Sequence, residues 1–392
     1  MARKRQEPID PKTLGGFKYF SMLSDLLERL HEHGAERDKA GNRRLFYDQY
    51  ALLFLLYYFN PVVKSLRGIR EFTTLEKVKR CLQVRSTSLG SLSEAAQVFD
   101  PALLEPIIAE LAQRAGSRPE LFPRAEQAAL KGLTAIDGSL LPALPRMAWA
   151  VWQDATHRAA KMHVAFEVWT GVPTKVTVTA GNGPERSELR RLVEPGGFYV
   201  MDRGYADYSL FRELDEAGCH FIVRVQENAV WEVERENPLT PADRARGVVS
   251  DLTLKRLGTA KHNALLERPL RLIIVSGTKP DERWLLVANR HDLPAELIAI
   301  GYRHRWQVEL FFRWLKCVLG CRHLLSECEQ GVQLQVYLAI IASLLIGLWV
   351  GAKPSRRTYE MVCHYFNGWA TAEELENYLL KLHPSTGPPC KS

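Results

Sequence analysis

From Phe17 to Gly116 apolar residues recur every three or four positions, in SMLSDLLERLHEHG, then YDQYALLFLLYYF, then SLSEAAQVFDPALLEPIIAELAQRAG. That period predicts helices, with Pro and Gly as the breaks between them. After the Pro-bearing stretch SRPELFPRAEQ (117–127) the texture changes to short β-like runs: LTAID (133–137), KMHVAFEVWT (161–170), TKVTVTA (174–180), GFYVMD (197–202) and CHFIVRVQ (219–226). The two runs around TGVP (170–173) predict a hairpin, and helices are expected over residues 185–193 and 207–217. Strands mixed with helices in this way predict an α/β layer fold. Between 227 and 290 the runs WEVEREN, GVVSDLTLKRLG, LRLIIVSGT and RWLLVANR alternate like strands, which predicts a β-rich insertion. Further helices are expected at Gly301–Lys316, Gly331–Gly351 and Ala372–Leu382, with HPSTGPPCKS as a tail and no internal repeat.

Two of these segments need a closer reading. Projected as one helix, GYRHRWQVELFFRWLK places Tyr302, Arg305, Glu309, Arg313 and Lys316 on a single stripe, roughly 80° wide. Leu310, Phe311, Trp314, Leu315, Val318 and Leu319 cover most of the remaining surface, as on a helix packed from several sides. A lone carboxylate flanked by cations suits a metal and a phosphate; the same spacing also suits ordinary i, i+4 ion pairs on an exposed face. The apolar run VYLAIIASLLIGLWVGA (336–352) sits at the lower length limit for a membrane span and reads better as a buried core helix.

Two of the β-like runs end in an aspartate, LTAID at Asp137 and FYVMD at Asp202. Apolar strands avoid carboxylates, so an acid at a strand's last position is expected at the sheet edge, where ligands bind in α/β folds. Either aspartate alone reads as a turn or helix cap. With Glu309 as a third, three carboxylates gathered together would repel one another unless cations lay between them, and an oxygen-only donor set suits Mg²⁺ or Mn²⁺. Lys161 and His163 alternate on the 161–170 strand; a single buried histidine on a strand is more often a hydrogen-bonded core residue, and both are left out of the catalytic set.

Composition narrows the partners. The net charge of +7 and pI near 9.0 favour a polyanion such as nucleic acid, and Lys64, Arg67, Arg70, Lys77, Lys79, Arg80 and Arg85 in the helical N-terminal block are candidates to meet a DNA backbone. The basic start MARKRQEPI is expected to be mobile. Seven scattered cysteines and no secretory leader predict reduced thiols in a cytoplasmic protein with no membrane partner. Cys317, Cys321, His323 and Cys328 are close in sequence but lack paired Cys-x-x-Cys spacing, so zinc is disfavoured. Paired-carboxylate glycosidase chemistry is disfavoured too, because cations around Glu309 would keep it ionised and unfit as a general acid.

The set Tyr302, Arg305, Glu309 and Lys316, spaced Tyr-x2-Arg-x3-Glu-x6-Lys, resembles the signature of bacterial insertion-sequence DDE transposases of the insertion-sequence-four family. The blocks AIDGS, MDRGYADYSLF and GYRHRWQVELFFRWLK resemble that family's three catalytic blocks in chain order, and the similarity covers most of residues 50–350. It implies an RNase H-like mixed sheet with flanking helices, interrupted by a β-rich insertion, and an all-helical N-terminal domain. The implied divisions are a DNA-binding region 1–120, the catalytic core in two parts 128–226 and 291–352, the insertion 227–290, and a helical C-terminal region with tail 353–392.

The resemblance further implies Asp137, Asp202 and Glu309 as catalytic ligands of two Mg²⁺ or Mn²⁺ ions. By the same resemblance Tyr302, Arg305 and Lys316 would grip the phosphates or the DNA end, and a tryptophan of the insertion, Trp284 or Trp231, would receive a flipped base; Arg313 on the same stripe and Arg203 after Asp202 are further candidate DNA contacts. The expected partners are double-stranded DNA, as terminal inverted repeats and target, and a second copy of the chain in the synaptic complex. The sequence departs from the pattern at Ala288, where a threonine is expected beside Asn289, and in GNGPERSEL, which lacks an expected aspartate. The leading expectation is cut-and-paste transposition through a hairpin intermediate. A catalytically silent DNA-binding descendant and a metal-dependent nuclease that does not join strands remain alternatives.

Overall fold

The computed structural model describes residues 23–33, 43–116, 123–154, 156–259, 263–264, 269–277, 279, 281–351 and 353–382. The basic N-terminal stretch, residues 117–122 of the Pro-bearing linker and the 383–392 tail lie outside the described residues. The chain packs as two units, one of residues 1–115, 142–159 and 313–392, the other of residues 116–141 and 160–312.

The second unit is built on a ten-stranded sheet: β1 (Leu133–Pro142), β2 (Ala159–Glu167), β3 (Val172–Ala180), β4 (Phe198–Met201), β5 (His220–Val225), β6 (Trp231–Glu236), β7 (Val248–Gly258), β8 (Asn263–Ala264), β9 (Leu270–Ser276) and β10 (Arg283–Ala288). Their order is β3-β2-β1-β4-β5-β10-β9-β7-β6, with β8 on β7. β4 runs parallel to both β1 and β5, and every residue of FYVM is buried, as a strand covered on both faces requires. The predicted hairpin is present, β2 lying antiparallel to β3, with Gly171 supplying the left-handed conformation (φ 69°) that closes the turn.

The β-rich segment 227–290 extends this same sheet, because β10 pairs antiparallel with β5. The far edge is WEVERE of β6, whose charged, half-exposed side chains discourage another strand from adding on. The Tyr208–Glu216 helix carries the chain from β4 to β5 and buries Leu210, Phe211 and Leu214, with Phe211 stacked on Phe221 of β5 at 5.1 Å.

The break expected at proline in the 91–116 run is present: Asp100, preceding Pro101, is extended (φ −79°, ψ 115°) and caps a short 3-10 turn, Pro101–Leu104, between the Leu89–Val98 and Glu105–Gly116 helices. Two local expectations are corrected. Asp137 does not end its strand: β1 continues to Pro142, since it keeps β2 as its other neighbour after β4 has stopped. The helix expected over Gly301–Lys316 is three pieces: Ala295–His304, Trp306–Arg313 and a π-helical turn Trp314–Val318. Around Arg305 the hydrogen bonds tighten to three-residue steps, Arg305 N to Tyr302 O and Val308 N to Arg305 O, both 3.1 Å, so a regular helical projection fails there and Tyr302 is buried at 6% exposure.

In the helical unit, the Tyr47–Tyr58 and Glu329–Val350 helices form the centre. Tyr58 donates to the Gln335 carbonyl at 2.7 Å, and Tyr359 donates to the Tyr58 carbonyl at 2.8 Å. The Glu329–Val350 helix is long and apolar enough to cross a membrane, yet 89% of its most apolar window is buried in the protein.

A buried ion pair fastens the extended part of the sheet. Arg271 of β9 donates through Nε to Asp251 Oδ1 of β7 at 2.8 Å and through Nη1 to the Arg290 carbonyl at 3.2 Å and to that of Leu293. It thus ties two strands to the segment entering the Ala295–His304 helix. Arg271→Ala leaves the buried Asp251 carboxylate without its counter-charge, with Asn237 Nδ2 at 3.0 Å still donating to it, takes a donor from two carbonyls, and is expected to cost about 3–5 kcal/mol. Thermal or urea unfolding checks this, and an unchanged midpoint would show the pair to be dispensable.

Candidate active site

The last pair of the β1–β4 ladder is Ile136 opposite Met201. Asp137 and Asp202 are the next residues on each strand, so parallel pairing puts their backbones side by side where β4 ends. Both also make the local turn contacts expected of aspartate: Asp137 Oδ1 accepts from Gly138 N at 2.7 Å, and Asp202 Oδ1 accepts from Gly204 N at 2.8 Å. Those contacts occupy one oxygen of each carboxylate.

Glu309 comes from the Trp306–Arg313 helix, and Arg305 joins it to the sheet. The guanidinium donates through Nη1 to Asp137 Oδ2 at 2.9 Å and through Nη2 to Glu309 Oε1 at 2.8 Å. Its side chain is only 13% exposed. The i, i+4 pair allowed by the sequence is therefore real, but it is half of a bridge whose other end lies 168 residues earlier.

Burial pushes the Asp137 carboxyl up to about 6; Arg305 opposes this, Asp202 reinforces it, the Gly138 amide opposes it and Glu309 reinforces it. The three acids thus share one electrostatic neighbourhood. Among the described residues no three metal-binding side chains form a ready-made cage, and Arg305 is the present counter-charge. The donors still fit a hard divalent cation by type: they are all carboxylate oxygens, half-buried, and mutually repulsive without positive charge.

Next to Arg305 lies an aromatic pair. The Arg305 Cζ stands 5.9 Å from the Tyr302 ring centre, and Trp284 meets Tyr302 edge to face at 5.6 Å. Trp284 donates to Glu282 at 2.9 Å and carries Arg224 over its ring at 5.6 Å. Trp231 instead packs against the sheet's hydrophobic core from the β6 edge. Arg203 is exposed in the turn after Asp202. Arg313 and Lys316 belong to the helical unit, Arg313 exposed and Lys316 half-buried on the π-helical turn.

The structure adds residues that the sequence reading left aside. Lys161 of β2 pairs with Glu185, which opens the Glu185–Leu192 helix after β3. A Cβ at position 138 would stand 2.7 Å from Lys161 Cε and 3.3 Å from His163 Nδ1, and one at position 204 would stand 3.1 Å from both Asp202 Oδ1 and Glu185 Oε2. The two glycines beside the aspartates therefore make room for a fourth carboxylate and its lysine. His163 is fully buried and bonded to Thr179 at 3.0 Å; burial, then Lys161, lower it to about 4 against Glu188, which fits the expected neutral core residue. Glu185 had one sequence signal, an acid in the first turn after Gly-Pro.

The raised Asp137 carboxyl means the folded protein holds that proton more tightly than the unfolded chain does. Its contribution to stability is therefore present below about pH 4 and lost as pH rises through about 6. Asp137→Asn, neutral throughout, is expected to stabilise the metal-free protein at pH 8 by on the order of 2–3 kcal/mol, an advantage that fades as pH falls through 6. Melting curves across that range check it, and a variant no more stable than the parent at pH 8 would mean that the Arg305 bridge outweighs burial.

Residues 129–345, more than half of the chain, match the family described as transposase DDE domain. A Sinorhizobium fredii protein named as a transposase, y4zB, is 32% identical over 215 residues, which is 55% of this chain and 60% of that protein. The chain thus spans about three-fifths of that relative's length. A protein named as the transposase of insertion sequence element IS4SA, from a Synechocystis species, is 21% identical over 73% of this chain and 79% of its own length. One named for element IS5377 of Geobacillus stearothermophilus is 29% identical over 54% of this chain and 55% of its own. A piggyBac transposase synaptic complex with hairpin DNA covers the whole chain and 89% of that chain at 13% identity, with a TM-score of 0.45, too slight a likeness to carry an argument. The carboxylates of Asp137, Asp202 and Glu309 stand within a chain that belongs to the transposase DDE domain family, among relatives named for insertion sequences.

Proposed function

We propose that this protein is a cut-and-paste DNA transposase that acts on the terminal inverted repeats of its own insertion sequence and works as a homodimer on two paired ends. One observation carries the reading: two acids side by side at the end of a parallel strand pair, with a helix-borne third joined to Asp137 through one arginine. The strand order β3-β2-β1-β4-β5, with acids on β1 and just after β4, supports an RNase H-like catalytic core. Asp137, Asp202 and Glu309 would hold two Mg²⁺ or Mn²⁺ ions. When bound, such ions activate a water or 3′-hydroxyl and stabilise the leaving oxygen of a phosphoryl transfer.

The chain's own residues have distinct tasks. The carboxylates supply the negative charge and fix the donor geometry. Arg305 is well suited to change partners, since a guanidinium grips a phosphate bidentately as readily as a carboxylate. Tyr302 offers a hydroxyl and a ring face, and Trp284 stands next to it as the acceptor of a flipped base in a hairpin intermediate. Arg203, Arg313 and Lys316 would meet phosphates as charges on flexible stems. In the N-terminal region Lys64, Arg67, Arg70, Lys77, Arg80 and Arg85 are exposed, as DNA backbone contacts need to be.

Purified protein with Mg²⁺ or Mn²⁺ is expected to cut DNA carrying the flanking ends of its own gene, giving nicks or hairpins at the element boundary on a denaturing gel. Glu309→Gln should lower that cleavage at least ~100-fold, about 2.7 kcal/mol of transition-state stabilisation, while still binding the ends. Retained cleavage in the variant would remove Glu309 from the site, and binding without cleavage in either protein would favour a silent DNA-binding descendant. Affinity for the ends should fall steeply with salt, by a log–log slope of about −0.9 for each phosphate neutralised. A flat dependence in filter binding would count against a surface that tracks the backbone.

A further inference from the structure

Gly204 lies in the short turn that Asp202 caps. Its φ falls outside the left-handed region, so nothing in its backbone demands glycine. What glycine supplies there is room. A Cβ at this position would stand 3.1 Å from Asp202 Oδ1 and 3.1 Å from Glu185 Oε2. The two carboxylate oxygens are therefore at most twice that distance apart, on the rim of a hollow that a side chain at 204 would fill.

The acids around this hollow outnumber the cations paired with them. Arg305 serves Asp137 and Glu309, and Lys161 pairs with Glu185 through Oε1, the oxygen that does not face Gly204. Asp202 forms no ion pair among the described residues. Its Oδ1 accepts from Gly204 N at 2.8 Å, and a carboxylate oxygen has a second lone pair to offer. Two acids thus meet at Gly204 with no cation between them.

Both sides of the hollow are held in place. Lys161 is only 14% exposed, and its Cε stands 2.7 Å from where a Cβ of residue 138 would be. The missing side chain after Asp137 is the track along which the lysine reaches Glu185. Arg186, the next residue of the Glu185–Leu192 helix, pairs at 2.8 Å with Asp207, which caps the Tyr208–Glu216 helix. The start of one helix thereby meets the 202–207 turn at two points.

We propose that Glu185 is a fourth carboxylate ligand of the metal site, sharing with Asp202 a divalent cation bound beside Gly204, and that Lys161 keeps it at the rim in the metal-free protein. The inference rests on the metal-binding reading of Asp202. Hard divalent cations take their ligands from oxygen, carboxylates above all. Here the second acid supplies the attraction and the glycine supplies the space.

The test is Mn²⁺ titration of the full chain, followed by electron paramagnetic resonance of the free ion, for the parent, Glu185→Gln, Glu185→Asp and Asp202→Ala, with a melting curve for each metal-free protein. Glutamine keeps an acceptor for Lys161 and loses the charge; aspartate keeps the charge and draws it back from Gly204. Both are expected to melt within a few degrees of the parent and to bind Mn²⁺ at least ~10-fold more weakly, the loss that even a ligand's hydrogen-bonding partner produces. Binding weakened in Glu185→Gln but unchanged in Glu185→Asp would mean that the charge acts from a distance, and overturns the ligand role. Binding lost in Asp202→Ala but unchanged in both Glu185 variants overturns the role of Glu185 alone, whereas binding indifferent to all three overturns the metal reading and the inference with it. If the Glu185 variants melt far below the parent, the exchange Lys161→Glu with Glu185→Lys decides the matter: recovery of stability without Mn²⁺ binding supports the ligand role, and recovery of both overturns it.

Discussion

The Arg305 guanidinium reaches a carboxylate on β1 and another on the Trp306–Arg313 helix, and it does so from a position only 13% exposed. Without it, Asp137 and Glu309 would be two acids brought together by folding with nothing between them, and Asp202 would add to the repulsion. Breaking a buried ion pair on one side is costly because the other charge remains behind. The position of the helix relative to the sheet edge therefore depends on this cation, and so does the tightened chain at Arg305 that buries Tyr302 beneath it.

The sheet contributes the part of the site that needs no side-chain contact to stay in place. Parallel pairing of β1 with β4 sets Asp137 beside Asp202 by backbone register, and a one-residue slip of the buried FYVM strand would move each side chain to the packing site on the opposite covered face. The helix-borne acid is held differently, by a long arginine side chain. One pair of acids is thus rigid and the third adjustable, an arrangement that suits a site able to exchange its counter-charge.

Much of this was legible in the chain. Asp137 and Asp202 stood out because apolar runs rarely carry a carboxylate, and the alternation of residues 161–180 announced the hairpin that lies beside them. The striped helix was legible in its residues but not in its shape: projection assumes 3.6 residues per turn, while the chain tightens at Arg305 and widens at Trp314–Val318. Glu185 escaped notice for another reason. Its closeness to Asp202 is a product of sheet order and of the helix entry after β3, which leaves no periodic mark. The pairing of β10 with β5, across about sixty residues, is non-local in the same way.

Burial and function pull Asp137 in opposite directions. A carboxyl raised to about 6 by its surroundings is a poor resident of a folded protein at neutral pH, even with an arginine beside it. A protein selected for stability alone would replace it with an amide. The same burial strengthens every interaction the charge makes, since electrostatic attraction grows as water is excluded. A divalent cation there would meet an acid that is already desolvated and already short of positive charge. The destabilising feature of the metal-free protein and the attractive feature of the site are then one property, and the Arg305 bridge is what keeps that property compatible with a folded chain.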